Sequence, residues 1–502
     1  MYLRAMRPVE TGATALHRLR SIHWNSRNSR SRQNDPRENQ RWRFIRCTVK
    51  PLRLPFLLIV AFASFTAAAP ISAGERIVVL ISVDGFPAWI WKDPNLVIPN
   101  LRKLAAEGAV AEKMTVSNPS ITWINHTTLV TGVNPRKHGV LFNGLLVRNG
   151  PTMPPAIEQW RDKADLVSVP TIYDAAFKAG LKTAQVDWVA ILNSGTIHHE
   201  FLEIPKPGGA IEQEMIAAGL VSVDDIRNWT KGRSIVWRDD VWTKAATHII
   251  EKHRPNLLLY HTLTTDAVNH QNGPGSFASY AAYAYADRLI GDLLASLTRA
   301  GLRERATILV ATDHGFKKVQ KVIHTNVALR DAGYIRLRDK KVESCDAYAM
   351  PQGGLAFVYV TDPARRAELL PKLKALCAGL EGVKQVIDGH EGPTLGMPTP
   401  VENQGMGDLV LYAKDGYAFS QGLEGAEVVR ESKGYLGTHG YPSSDPELDG
   451  VFIASGYGIK PGVKVERVSN LDVAPTAAAL LDLSLPNVEG RVLTEFLAPA
   501  AK

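Results

Sequence analysis

Residues 76–85 read R-I-V-V-L-I-S-V-D-G, and this stretch decides the fold class. Nearly all of residues 76–83 are aliphatic or β-branched, which is typical of a strand buried on both faces of a parallel sheet. Asp84 and Gly85 end the strand. Open α/β sheets place their sites beyond the carboxyl ends of such strands, where glycine also permits a sharp turn. Asp84 is therefore either a candidate ligand at such a site or an ordinary capping residue in a turn.

The chain beyond this strand alternates strand and helix patterns. N-L-L-L-Y at residues 256–260 and A-T-I-L-V-A at residues 306–311 are typical of buried strands, and helical patterns cover residues 239–253 and 276–300. This alternation predicts an α/β fold with a mostly parallel central sheet sandwiched by helices.

The predicted domain organisation is simple. We expect one catalytic domain over residues 74–502. Within it, residues from about 317 to 430 have a less regular pattern and predict a smaller accessory insert that caps the site. Ahead of it we expect a basic leader over residues 1–53 and a signal peptide over residues 54–73.

The signal peptide is predicted from the apolar run Leu54–Ala69, which follows Arg53 and ends in small residues. A stable membrane span needs about 20 apolar residues, so a cleaved export signal fits better than an uncleaved anchor, which is the alternative. Export to the periplasm or the extracellular space follows. The leader is unusually long for the basic region of a signal peptide, and we expect translation to begin at Val49 through an alternative start codon.

The net positive charge of the chain comes from this leader. The formal net charge is +8, but residues 1–53 carry 13 of the 58 Lys and Arg residues and 3 of the 50 Asp and Glu residues. The remaining chain carries 45 basic against 47 acidic side chains. The composition therefore gives no reason to expect specific nucleic-acid binding.

The three cysteines leave one question open. Cys47 lies in the leader, whereas Cys345 and Cys377 either form one disulfide in an oxidising compartment or remain buried thiols. Neither stands in a C-x-P-x-R context. This excludes the formylglycine chemistry of type I sulfatases.

Two of the predicted strands are followed by a carboxylate and an imidazole. Asp266 and His270 follow residues 256–260 at positions i and i+4, which one helical turn aims at the same point. Asp313 and His314 follow the second strand. Alone, the first pair is more often a surface pair and the second is more often a turn, but their joint placement indicates a metal site. Mixed nitrogen and oxygen ligands suit zinc first, other divalent transition ions next and calcium least.

A candidate nucleophile lies between the first two strands. Residues 119–132 read P-S-I-T-W-I-N-H-T-T-L-V-T-G, and residues 138–143 read H-G-V-L-F-N. A hydroxyl such as that of Thr122 at a helix start is either a plain cap or a nucleophile, because a helix N-terminus favours an anion such as a phosphoryl group.

Together these motifs resemble the nucleotide pyrophosphatase/phosphodiesterase family of the alkaline phosphatase superfamily. Its pattern has D-G-F, then T-F-P-N-H-x-x-L-V-T-G, then H-G-x-x-x-N, and a late G-T-H-G-Y. The chain has D-G-F at residues 84–86, T-W-I-N-H at 122–126, L-V-T-G at 129–132, H-G with Asn143, and G-T-H-G-Y at 437–441.

The resemblance implies two zinc sites and a mechanism. Thr122 would be the nucleophile and Asn143 a hydrogen-bond donor to a phosphoryl oxygen. Other divalent transition metals are the alternative to zinc. The implied ligands are Asp266, His270 and His439 around one ion, and Asp84, Asp313 and His314 around the other, with Thr122 toward the second. The implied activity is that of an exported hydrolase of phosphate esters, a phosphodiesterase or nucleotide pyrophosphatase acting through a covalent phospho-threonine.

The substrate is less well defined by the sequence. We expect a small phosphate ester, such as a nucleotide or a lipid head group. Trp123 stands where nucleotide-hydrolysing relatives often have Phe, and either stacks on a flat group of the substrate or packs as a pocket wall. The family's proline before the Asn-His pair is Ile124, and its W-P-G motif is replaced around Asp187 and Trp188. A phosphomonoesterase, a phosphonate hydrolase or a non-catalytic binding protein are the alternatives.

Overall fold

The computed structural model describes residues 72–499. The predicted leader, the apolar run Leu54–Ala69, Cys47 and the proposed start at Val49 lie outside these residues. Among the described residues, no helix is long and apolar enough to cross a membrane.

The strands of residues 72–499 form one large sheet and several smaller ones. In chain order they are β1 (Ile77–Val83), β2 (Ala109–Thr115), β3 (Leu145–Val147), β4 (Ala156–Glu158), β5 (Thr183–Val186), β6 (His199–Phe201), β7 (Leu257–Thr262), β8 (Ala306–Ala311), β9 (Lys317–Ile323), β10 (Ile335–Arg338), β11 (Lys341–Cys345), β12 (Ala347–Gln352), β13 (Leu355–Val360), β14 (Val383–Asp388), β15 (Leu409–Ala413), β16 (Gly416–Phe419), β17 (Val429–Glu431), β18 (Gly437–Thr438), β19 (Gly450–Gly456) and β20 (Val463–Ser469).

The helices alternate with these strands. They are α1 (Ala88–Trp91), α2 (Pro99–Glu107), α3 (Thr122–Thr131), α4 (Pro135–His138), α5 (Lys163–Leu166), α6 (Ile172–Lys178), α7 (Ala210–Ala217), α8 (Val223–Arg227), α9 (Ile235–His253), α10 (Thr264–Asn272), α11 (Phe277–Arg299), α12 (Thr325–Asp331), α13 (Arg366–Ala378) and α14 (Val473–Leu480).

The caps explain where the two longest helices begin. The helix predicted over residues 239–253 begins earlier, at Ile235, because the Ser234 side chain accepts a hydrogen bond from the Trp237 N–H. Ser276 caps α11 in the same way, so that helix starts one residue after the predicted position.

The largest sheet is mostly parallel, as predicted. Its eight strands have the order β20-β2-β19-β8-β1-β7-β5-β6. β19 runs antiparallel to both of its neighbours, and all other pairs are parallel. The central position of β1 explains its uninterrupted apolar sequence, because both of its edges and both of its faces are covered.

Helices cover both faces of this sheet. Val78 and Leu80 of β1 pack in one core cluster with residues of α3, α6 and α14. Val79 and Ile81, which point to the opposite face, pack in another cluster with residues of α2, α9 and α11. The structure therefore confirms the predicted α/β fold with a central sheet between helical layers.

The parallel strands bring their carboxyl ends to one edge. β8, β1, β7 and β5 are neighbours in this order and run in the same direction. Asp313 follows β8, Asp84 follows β1, α10 follows β7 and Asp187 follows β5. The motifs singled out in the sequence thus meet at this edge.

Residues of the predicted accessory insert build a second, antiparallel sheet. Its order is β12-β13-β15-β14, and β9 pairs nearby with β16, β17 and β18. The limits of the insert at about 317 and 430 stay a prediction. Cys345 and Cys377 are free and buried here, so the structure has the thiol alternative. Burial raises the pKa of both thiols to about 12, which keeps them protonated and unreactive.

Candidate active site

The first part of the site is built by the ends of β1 and β8. Asp84 and Asp313 are fully buried, and the Nε2 atom of His314 lies 3.4 Å from Asp84 Oδ1 and 3.2 Å from Asp313 Oδ2. Gly85 donates its backbone N–H to Asp313 Oδ1 at 3.1 Å. It adopts a φ of +65°, and a Cβ there would lie 2.6 Å from the Phe316 ring. Only glycine fits this turn without strain.

The second part comes from α10 and from the loop after β18. Asp266 and His270 lie one turn apart on α10, with His270 Nε2 3.3 Å from Asp266 Oδ1. His439 Nε2 approaches the same oxygen at 3.7 Å. The start of α10 is held by Asp239, whose carboxylate accepts a hydrogen bond from the Thr264 N–H at 2.9 Å. All six predicted metal ligands therefore lie in one region.

The three imidazoles share one orientation. Nδ1 of His270 lies 2.9 Å from the Gly437 carbonyl oxygen, Nδ1 of His314 lies 3.1 Å from that of Gly315, and Nδ1 of His439 lies 2.9 Å from that of Ser120. Because a carbonyl oxygen only accepts, each Nδ1 carries the hydrogen. In its neutral form each ring then turns the lone pair of Nε2 toward the carboxylates, which is the form that binds a metal.

Three carboxylate oxygens at the centre of the site have no hydrogen-bond partner, although they are buried. They are Asp84 Oδ1, Asp266 Oδ1 and Asp313 Oδ2. Burial of a charged oxygen without a partner is costly, and a cation would offset that cost. The donor set of carboxylates and neutral imidazoles fits a divalent transition metal.

The ligand atoms fall into two overlapping groups, each within 4.8 Å. One contains Asp84, Asp313 and His314, which is one of the two sets implied by the family resemblance. The other contains Asp266, His439 and His314, so His314 stands between both groups. His270 belongs to neither group, although its Nε2 atom lies 3.3 Å from Asp266 Oδ1. The division of ligands between two ions remains a prediction.

The pKa values of the buried carboxylates and imidazoles in the site are shifted from their usual values by burial and by their neighbours. Burial, followed by the charge of Asp266, raises the pKa of Asp84 to about 7. Burial and Asp84 raise the pKa of Asp313 well above its usual value. Burial and the neighbouring imidazoles lower the pKa of His439 to about 4 and that of His314 well below its normal range. His314 and His439 are thus neutral, and the carboxylates need a cation to be ionised together.

Thr122 is the first residue of α3 and faces this centre. Its Oγ1 lies 3.3 Å from His314 Nε2. Asn143 lies beside it, since its Oδ1 accepts a hydrogen bond from the Trp123 N–H at 3.1 Å. That bond fixes the amide and leaves its NH₂ group for another acceptor. The arrangement places a hydroxyl, a free amide donor and a helix N-terminus around one space.

The turn before Thr122 is held by Asn125. Its Oδ1 accepts hydrogen bonds from the Ser117 N–H and from Asn470 Nδ2, both at 2.8 Å, while its Nδ2 donates to the Pro119 carbonyl oxygen at 3.1 Å. Asn125 is fully buried. Its role is to fix the backbone from which the Thr122 side chain projects.

Sequence reasoning missed His261, a buried residue of β7. Its Nε2 lies 3.1 Å from Asp84 Oδ2, and its Nδ1 lies 3.1 Å from Asp187 Oδ2. Burial alone would lower the pKa of His261, but the Asp187 and Asp84 carboxylates more than reverse this and raise it well above normal. The signal in the sequence was a single imidazole in an otherwise apolar strand. The contact of His261 with Asp84 Oδ2 fixes the orientation of that carboxylate, so that the other oxygen, Oδ1, faces the remaining ligands at the centre of the site.

A cavity of about 200 Å³ opens beside Trp123. The indole rings of Trp123 and Trp160 meet edge to face with centroids 6.3 Å apart, and Trp188 forms another wall. Most of the remaining lining is aliphatic, and the charged residues Arg161, Glu203 and Lys206 also line the cavity. Trp123 was predicted as a pocket residue. Trp160 was missed because it lies in a separate segment that meets Trp123 only in the fold.

Comparison with known families identifies the chain. The family model of type I phosphodiesterases and nucleotide pyrophosphatases matches residues 78–442, most of the sequence and every predicted site residue from Asp84 to His439. The chain belongs to this family. As a type I phosphodiesterase/nucleotide pyrophosphatase family member, it is a hydrolytic enzyme.

Relatives of this phosphodiesterase family align along most of the chain. The human ectonucleotide pyrophosphatase/phosphodiesterase family member 7 is 26% identical over 453 residues, which cover 87% of this chain and 88% of that protein. The mouse member 7 is 24% identical and covers 85% and 88%. The solved structure of human member 5 superposes with a TM-score of 0.63 at 17% identity and covers 84% of this chain and all of that one. It shares the fold.

Proposed function

We propose that this enzyme is an exported, two-zinc phosphodiesterase or nucleotide pyrophosphatase that uses Thr122 as a nucleophile. The observation that carries the proposal is the position of the Thr122 hydroxyl. It lies 3.3 Å from the Nε2 atom of His314, next to buried carboxylate oxygens that have no partner. A hydroxyl so placed is close to any cation that those oxygens bind.

The residues of the site have different roles in the proposed reaction: some hold the ions and others bind the phosphoryl oxygens. Asp84, Asp313 and His314 would hold one ion, and Asp266, His270 and His439 the other. Zinc in such a site supplies Lewis-acid stabilisation of anionic oxygens and lowers the pKa of a bound hydroxyl. The backbone N–H groups at the start of α3 other than that of Trp123, together with the Asn143 NH₂ group, would donate to the phosphoryl oxygens.

The Thr122 side chain carries the covalent chemistry. The hydroxyl loses its proton to solvent, Oγ1 attacks phosphorus in line, and the bond between phosphorus and the leaving oxygen breaks. The leaving group takes up a proton and departs as an alcohol, and a phospho-threonine that still carries the second organic group forms. Water then attacks phosphorus from the opposite side, and the bond to Oγ1 breaks. The second step releases a phosphate monoester and restores the hydroxyl.

The cavity beside Trp123 favours a diester over a monoester. A diester carries two organic groups, and one of them can occupy the largely apolar space between Trp123, Trp160 and Trp188. Nucleotides and lipid head groups are the candidate substrates. In support of a nucleotide, one solved structure of murine member 5 is an inactive Thr-to-Ala variant in complex with AMP.

Export is part of the proposal. It is supported by the apolar run Leu54–Ala69 and by the ectoenzyme names of the relatives. Expression of the full chain in bacteria tests it. The account expects processed protein outside the cytoplasm, and an unprocessed chain that remains in the cytoplasm would contradict it.

The activity itself is tested by two matched substrates. We expect the zinc-loaded chain to hydrolyse an aryl phosphodiester faster than the corresponding aryl phosphomonoester. Thr122→Ala serves as the control and should abolish the diesterase activity. A faster monoester reaction would assign the enzyme to the phosphomonoesterases, and full activity of Thr122→Ala would overturn the mechanism.

A further inference from the structure

A second group of metal-binding side chains lies on β6, α7 and α9. The Oε2 atom of Glu214 lies 2.7 Å from Nε2 of His248 and 2.8 Å from Nε2 of His253. The ring of His199 stacks on that of His253, with centroids 4.0 Å apart and planes inclined by 25°. Two imidazole nitrogens thus converge on one carboxylate oxygen, and a third imidazole packs against them.

This group is separate from the candidate active site. Asp239, near the start of α9, is the residue of that helix that hydrogen-bonds to Thr264 beside the active-site ligands. His248 and His253 lie farther along the same helix, by about 13 and 21 Å at about 1.5 Å per residue. A ligand bound by these histidines would therefore not be one of the catalytic ions.

We propose that Glu214, His248 and His253 bind a divalent transition-metal cation, with zinc as the best match. One ligand atom from each of these residues lies within 4.8 Å of the others. Two imidazoles with one carboxylate form a donor set that suits zinc, whereas magnesium and calcium prefer oxygen ligands alone.

The side chains are accessible and available to a cation. The Glu214 side chain is 38% exposed and that of His253 is 22% exposed, so an ion can enter from solvent. Within residues 72–499, the His199 ring makes ring contacts but no hydrogen bond.

A cation here would join α7 to α9, and the His199 ring of β6 packs against the His253 ligand. β6 is an edge strand that pairs with β5 through three residue pairs only. Leu202, Ile204 and Lys206, which follow β6, line the cavity beside Trp123. Holding β6 against α7 and α9 would therefore fix the wall of the cavity that the residues after β6 form. The proposed role is structural support of that wall.

The test is the zinc content of the full chain after dialysis against buffered zinc, measured by atomic emission. The His248→Gln/His253→Gln double variant should bind one equivalent of zinc fewer per chain than the unchanged protein. Both should hydrolyse an aryl phosphodiester at similar rates, which shows that the catalytic ions are in place. His390→Gln removes an exposed imidazole elsewhere and should leave the zinc content unchanged.

A milder variant covers the case in which the double variant fails to fold. Glu214→Gln keeps a hydrogen-bond acceptor for both imidazoles but removes the carboxylate charge, and we expect it to lower the zinc affinity of this site at least about tenfold. Equal zinc content and equal zinc affinity in the unchanged chain and in the variants would overturn the proposal. Glu214 and the two histidines would then form hydrogen bonds only.

Discussion

Two buried strands of this enzyme have similarly apolar sequences, but the aspartates that come after them have different environments. β1 (I-V-V-L-I-S-V) and β13 (L-A-F-V-Y-V) are buried along their whole length, and an aspartate lies within two residues of the end of each. Asp84 is fully buried, and its Oδ1 has no hydrogen-bond partner. Asp362 is partly exposed, and its side chain accepts a hydrogen bond from the Ala364 N–H at 3.0 Å. The second aspartate is an ordinary cap.

The difference lies in the neighbouring strands. β1 lies between two parallel strands, β7 and β8, so three carboxyl ends and their polar residues meet at one edge. β13 lies between two antiparallel strands, β12 and β15, so its carboxyl end is beside their amino ends. A carboxylate at the end of a buried strand therefore becomes part of a candidate metal site only when parallel neighbouring strands bring further ligands to the same edge of the sheet.

The largest expected effect concerns two threonines, one at each of these edges. Thr122→Ala removes the proposed nucleophile and should lower kcat for an aryl phosphodiester by at least about 10³-fold, as is usual when a nucleophile is lost. Thr361, which follows β13, hydrogen-bonds to the Cys345 carbonyl oxygen at 2.6 Å. Thr361→Ala should cost about 1 kcal/mol of stability and leave kcat unchanged. Equal effects of both variants on kcat would break the comparison.

The two aspartates give the next largest difference. Asp84→Asn replaces a proposed metal ligand and should lower both the bound zinc and the diesterase rate, the latter by about 10²-fold or more, because an amide is a poor zinc ligand. Asp362→Asn keeps a good N-cap and should change neither. Rates and zinc content are measured side by side. Full zinc content and activity in Asp84→Asn would refute its role as a ligand.

The contact between His261 and Asp84 predicts a smaller effect. His261→Gln weakens the support of a ligand rather than the ligand itself, and we expect a 10- to 100-fold loss of zinc affinity, as is typical of such outer partners. The diesterase rate at saturating zinc should fall less. His324→Gln, which removes another buried imidazole, is the control for lost packing. Unchanged zinc affinity in His261→Gln would show that the contact is dispensable.

The pH dependence of metal-free stability is the mildest test. Burial and Asp266 raise the pKa of Asp84 to about 7 in the folded chain, from a usual value of 3.8. The folded state thus binds this proton more tightly, and the stability it contributes is present below about pH 4 and lost as the pH rises through about 7. The rise in Tm on adding zinc should therefore be larger at pH 8 than at pH 5. An equal rise at both would contradict this origin.

The sequence was sufficient for those parts of the site that are locally encoded. Asp84 and Asp313 each follow a buried strand, and the spacing of Asp266 and His270 matches one helical turn. His261 was not predictable in this way, because its importance depends on the neighbour that lies beside it in the sheet.

Contacts between segments that are distant in the chain could not be predicted from the sequence either, because they depend on which elements the fold brings together. Trp160 meets Trp123 across the cavity, and Glu214 meets His248 and His253 between two helices. None of these pairs has a spacing that a single helix or strand would align. The antiparallel insertion of β19 into the main sheet is likewise a property of the topology.

The proposed mechanism requires a covalent intermediate on Thr122. The stereochemistry of hydrolysis at phosphorus shows whether this intermediate forms. A phosphorothioate diester of one configuration is hydrolysed by the zinc-loaded enzyme in heavy-oxygen water, and the configuration at phosphorus in the product is determined. Attack by Thr122 and then by water gives two in-line displacements, so the account predicts net retention. Net inversion would show direct attack by water on the substrate and would contradict the account.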